Sequence, residues 1–107
     1  MILTHDDRNS SYLLAVDTRT GKPLWRHERW PEKWGAVCVD LVTDGKAVFV
    51  TSSEQHKQCA RFTIAGAALK QDWTHNRFAC YTGGAVLIGG HLYGIDTKRG
   101  GQLKCLD

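Results

Sequence analysis

Laid against itself, the sequence falls into register at 45 residues, and that repeat limits the fold more than any other feature. Thr43-Asp44-Gly45-Lys46-Ala47-Val48-Phe49-Val50 lands on Ile88-Gly89-Gly90-His91-Leu92-Tyr93-Gly94-Ile95, each a Gly turn entering an apolar strand. Ala15, Ala60 and Cys105 superpose as small residues, and Gly21 meets Gly66. Counting back, the first five residues fall on residues 46–50, so the chain is expected to start and stop in mid-repeat.

Apolar runs of four to six residues, parted by Gly, Asp, Asn and Ser, read as strands, and no helical period appears. In the fullest unit the strands are expected over residues 39–42, 47–52, 58–63 and 68–73. Thr43-Asp44-Gly45-Lys46 forms the first hairpin, because Gly supplies the positive φ of such a turn. Four strands in a repeat of this length predict an all-β protein of antiparallel four-stranded β-propeller blades. The blade fragments fall at about 1–33, 34–78 and 79–107, within one incomplete propeller domain spanning 1–107.

Ala15-Val16-Asp17-Thr18-Arg19-Thr20-Gly21-Lys22-Pro23-Leu24-Trp25 carries the sharpest motif, A-x-D-x-x-T-G-x-x-x-W. Asp17 is placed to accept hydrogen bonds from turn amides, Thr20 and Gly21 to reverse the chain, and the small Ala15 to allow close approach. Trp25 would bury its ring against a neighbouring blade. A second, degenerate copy runs from Ala60 through Gly66 to Trp73, with Phe62 and Ala65 replacing the Asp and Thr. The motif resembles the tryptophan-docking repeat of the pyrroloquinoline-quinone-like (PQQ-like, quinoprotein alcohol dehydrogenase-like) β-propellers of bacteria. Kelch repeats resemble the chain less closely, since Gly89-Gly90 precedes Leu92-Tyr93 instead of following such a strand. No Trp is followed by Asp, so the WD40 signature is absent.

That resemblance implies two functions. One is a non-catalytic protein-interaction or scaffold module, similar to outer-membrane-assembly lipoproteins, binding a protein, a peptide or the remaining blades. The other is a fragment of a PQQ-dependent quinoprotein dehydrogenase. The adjacent cysteine pair of the quinoprotein alcohol dehydrogenases is missing, and no quinone or calcium ligand can be placed. The first reading is therefore preferred, and it assigns no catalytic, cofactor-binding or metal residue. PQQ and calcium would belong only to a complete parent propeller. Family resemblance implies a periplasmic or secreted protein, although no export signal follows Met1 and no apolar stretch approaches a membrane span.

The charged loops are where binding would lie. Trp30-Pro31-Glu32-Lys33-Trp34, preceded by Arg26 and Arg29, interleaves aromatic and basic side chains, and Arg26, Arg29, Trp30 and Trp34 form the candidate partner-binding loop. The same residues could stack on bases. A net charge of +3, without a basic block, argues against nucleic acid. Five His and the Asp6-Asp7 pair lack metal-ligand spacing, and His27 and His75 each follow a Trp by two residues, a repeat position. The four cysteines never form C-x-x-C and are read as small buried hydrophobes.

Overall fold

The computed structural model describes residues 1–6, 11–28, 41–52, 58–80, 84–97 and 100–107. Among these residues, ten antiparallel strands form three separate meander sheets. The first contains β1 (Ile2–Asp6), β2 (Ser11–Val16) and β3 (Pro23–Glu28) in that order. The central sheet runs β4 (Val42–Thr43), β5 (Ala47–Thr51), β6 (Cys59–Ala65) and β7 (Ala68–His75). The third joins β8 (Ala85–Ile88), β9 (His91–Asp96) and β10 (Gln102–Leu106). Among the described residues the sheets do not close on themselves. The all-β, antiparallel expectation holds, and the strands over 47–52, 58–63 and 68–73 lie where the sequence puts them, the last two running to Ala65 and His75. Residues 39–40 of the first expected strand lie outside the described residues.

Local chemistry explains the hairpins. Asp17 accepts the amides of Arg19 and Thr20 at 2.8 and 3.1 Å, which holds its carboxyl below the usual carboxylate range. Gly21, at φ 70°, donates its N–H back to the Asp17 carbonyl at 2.8 Å. A side chain there would carry the strain of the left-handed region. Asp44 has the same role in the β4–β5 hairpin, accepting the amides of Lys46 and Ala47, each at 2.8 Å.

The central sheet is covered on both sides, as the unbroken apolar run of β5 requires. Val48 opposite Phe62 and Val50 opposite Ala60, with Leu69 of β7, turn one face to Leu13 of the first sheet and complete a buried cluster. Phe49 and Cys59 turn the other face to Phe78, Cys80 and Leu92. Among the described residues a half-buried Trp packs on each face, Trp25 from β3 on the first cluster and Trp73 from β7 on the second. Both follow a β-bulge. The β2–β3 register shifts between Ala15 and Val16, with Trp25 opposite Ala15, and the β6–β7 register shifts between Arg61 and Phe62, with Trp73 opposite Arg61.

These ladders refine the 45-residue register. Thr51 opposite Cys59 recurs as Ile95 opposite Leu103, and Phe49 opposite Arg61 as Tyr93 opposite Cys105, 44 positions on in both strands. Between the first and central sheets the bulge shifts by 46 positions and the Trp by 48. The sequence register lies among these spacings. One residue of difference matters, because strand side chains alternate faces. Ala15, Arg61 and Cys105 are the equivalent positions, whereas Ala60, the expected match, points to the opposite face and is small because it is fully buried.

Candidate interaction surface and inter-sheet cleft

Alternation leaves the third sheet with one covered face and one open face. Leu92 and Gly94 turn toward the central sheet, with Asp96 fully buried beside them. Val86, Ile88, Tyr93, Ile95, Leu103 and Cys105 therefore turn outward, with Ile95 48% and Leu103 75% exposed. An apolar set of this kind on one face of a sheet marks an interaction site more often than a solvated surface. Its positions are those which, 44 residues earlier, put Phe49 and Cys59 into a core.

The crossing between the central and third sheets is a buried strap, Phe78-Ala79-Cys80. Its polar groups are paired from both sheets, as buried backbone requires. Ala79 donates to Asp96 Oδ1 at 3.2 Å, and Cys80 donates to Thr51 Oγ1 at 3.2 Å. The Ala79 carbonyl accepts the Thr97 amide at 2.9 Å and its hydroxyl at 3.0 Å. Lys104 closes the arrangement with an ion pair to Asp96 Oδ2 and a 2.8 Å bond to the Arg77 carbonyl. The Asp96 carboxylate is thus a structural post.

Beside the strap, the mouth between the two sheets opens as a cleft of about 160 Å³. Phe49, Trp73, Leu92 and Leu106 form its apolar walls, with Asp44, Arg61 and Asp107 at the rim. Arg61 is held by an ion pair to Asp72, the bulged residue, whose carboxylate also accepts the Thr63 hydroxyl at 2.8 Å. Chemically the cleft suits a small apolar side chain entering from a partner.

Cys59 and His75 have the separation of a nucleophile and its base, with Sγ 3.1 Å from Nδ1. Burial overrides that geometry. The Cys59 thiol is fully enclosed and pushed up to about 12, so the thiolate that nucleophilic chemistry needs is not formed. His75 stacks on Trp73 with ring centroids 4.7 Å apart, and burial together with Arg77 lowers its pKa. His27, two residues after Trp25, sets its ring against Phe62 at 5.0 Å, and burial lowers its pKa too. His27 thus packs between the first and central sheets, and His75 packs on its own sheet against Trp73 and Cys59. Among the described residues no three His, Cys, Asp or Glu side chains converge as metal donors, so nothing described fits a calcium held by carboxylates.

The residues singled out in the sequence divide between scaffold and loop. Ala15, Asp17, Thr20, Gly21 and Trp25 come together in the β2–β3 hairpin, with Thr20 Oγ1 accepting the Lys22 amide at 3.3 Å. Gly66 turns the β6–β7 hairpin, and Ala60 and Trp73 lie on opposite faces of the central sheet. Of the proposed partner loop only Arg26 is described; Arg29, Trp30 and Trp34 lie outside the described residues. Arg26 is engaged within the first sheet, 3.7 Å over the Tyr12 ring and paired with Glu28. Asp7 and Cys38 also lie outside, as do residues 53–57 and 98–99 of the loops. Cys59 and Cys80 are buried as expected, but Cys105 is exposed, because alternation in β10 turns it to the open face. Sequence reasoning missed that face. Its signal was Val86, Ile88, Ile95 and Leu103 at alternating strand positions, which reads as core until the covered side is known.

No helix among the described residues is long and apolar enough to cross a membrane. No protein-family model, curated protein or solved structure matches the chain. The family resemblance therefore rests on the segment from Ala15 to Trp25 and on the repeat.

Proposed function

We propose that this chain is a non-catalytic interaction module, built of blade-like repeats of the PQQ-like propeller type, that binds a protein or peptide through its third sheet. The open apolar face of that sheet carries the reading. Leu103, Ile95, Val86 and Ile88 expose surface that costs free energy to hydrate and that a partner would cover. On its covered side the same sheet shares with the central sheet a cleft that offers a separate pocket for a side chain. The titratable pairs beside it, Asp96 with Lys104 and Cys59 with His75, are committed to the structure.

Peptides selected from a display library against the chain test the reading. Their binding to an I95K/L103K variant is expected to fall at least tenfold. Equal binding by that variant would remove the third sheet from the function. A parallel titration with pyrroloquinoline quinone and calcium is expected to give no saturable signal; one-to-one binding would replace the module with a quinoprotein fragment.

A further inference from the structure

The open face of the third sheet has a natural complement at the other end of the same chain, and we infer that its partner is the first sheet of a second copy, docked head to tail. This rests on the interaction-module reading and names the partner.

The central sheet docks on the third through Phe49 and Cys59, and the same positions one repeat later are Tyr93 and Leu103, which lie on the open face. The central sheet also receives the first sheet on Ala60 and Phe62. The β-bulges align Ala60 and Phe62 with Leu14 and Val16, on the far side of β2 from Leu13. The far side of the first sheet is therefore a receiving face, and the open side of the third is a docking face. Leu14 is half-buried there beside the buried Val16, Leu24 on the adjoining bulge is 60% exposed, and the Arg26–Glu28 pair over Tyr12 borders them. The chain already makes this type of contact twice within itself, so a second copy can repeat it without a new kind of interface. The two faces differ, so the contact is heterologous and leads to rings or filaments, not to a closed two-fold dimer.

Sedimentation velocity of the chain across about 1 to 100 μM reads the outcome, a range suited to contacts of micromolar strength. Wild type is expected to grow in mass with concentration. An I95K/L103K variant, blocked at the docking face, and an L14K/L24K variant, blocked at the receiving face, are each expected to stay monomeric. Mixed, they are expected to form one-to-one dimers and nothing larger, since each keeps the face the other lacks. Alkylating Cys105 with a bulky reagent in a Cys38→Ser background blocks the docking face without touching a core residue, and is expected to abolish growth if a lysine variant misfolds. A wild type that stays monomeric throughout, or receiving-face variants that still pair with themselves, would overturn the inference. A monomer that still binds selected peptides through Leu103 would overturn self-docking alone. A monomer that binds none would overturn the module as well.

Discussion

The phenyl ring of Phe78 occupies the space a side chain on Gly94 would need: a Cβ at position 94 would stand 2.7 Å from Phe78 Cζ and 3.2 Å from Ala85 Cβ. Phe78 is fully buried and cannot withdraw. Gly94→Ala is therefore expected to destabilise the chain by about 1 to 3 kcal/mol, the usual cost of overpacking a close contact. Phe78→Leu removes the clashing atom. The double variant should lose less than the two single losses together, and urea denaturation of the four proteins measures that coupling.

Trp25 and Trp73 belong to separate clusters on opposite faces of the central sheet. Replacing either with Ala is expected to cost about 3 kcal/mol, near the low end for an aromatic because both rings are half-buried. Their losses should add, since the two sites share no contact cluster. Chemical denaturation of both singles and the double checks this. A large positive coupling would mean that the two clusters are one core.

Lys104 forms an ion pair with Asp96, which is fully buried. Lys104→Met removes that cation from beside the buried carboxylate, and a loss of about 3 kcal/mol is expected. Adding Asp96→Asn removes the charge while keeping an oxygen to accept the Ala79 amide. The double variant is therefore expected to recover much of the loss, as thermal melts at neutral pH would show.

Acid should weaken the fold before any carboxylate titrates. Burial lowers the pKa of both His27 and His75 below the ordinary value of 6.5, so the unfolded chain binds more protons than the folded one as pH falls through that value. Their contribution is intact above pH 6.5 and is progressively lost below it. The urea midpoint is expected to fall between about pH 7.5 and 5.5, and His27→Gln with His75→Gln should flatten that slope. A slope unchanged in the double variant would place the titrating groups elsewhere.

The elements that the sequence reveals are those whose chemistry is local. Asp17, Thr20 and Gly21 announce their turn because an Asx-type carboxylate and a positive-φ Gly act within a few residues. The apolar run at β5 announces a strand buried on both faces, because nothing polar interrupts it. Arg61 could not be recognised as the partner of Ala15, since its equivalence depends on a bulge and on register, which are properties of two strands together. Nor could the open face be told from core. Leu103 and Leu92 are the same residue type on neighbouring strands, one exposed and one buried, and only the position of the central sheet separates them.

The third sheet repeats the ladder of the central sheet 44 residues on, and that register decides which of its residues share the open face. Cross-strand backbone NOEs of the isotope-labelled chain test it most directly. Contacts are expected between Val50 and Ala60 and between Gly94 and Lys104, with Ile95 opposite Leu103 and both side chains in water. A third-sheet ladder slipped by one residue, with Ile95 and Leu103 protected and Leu92 exposed, would contradict it.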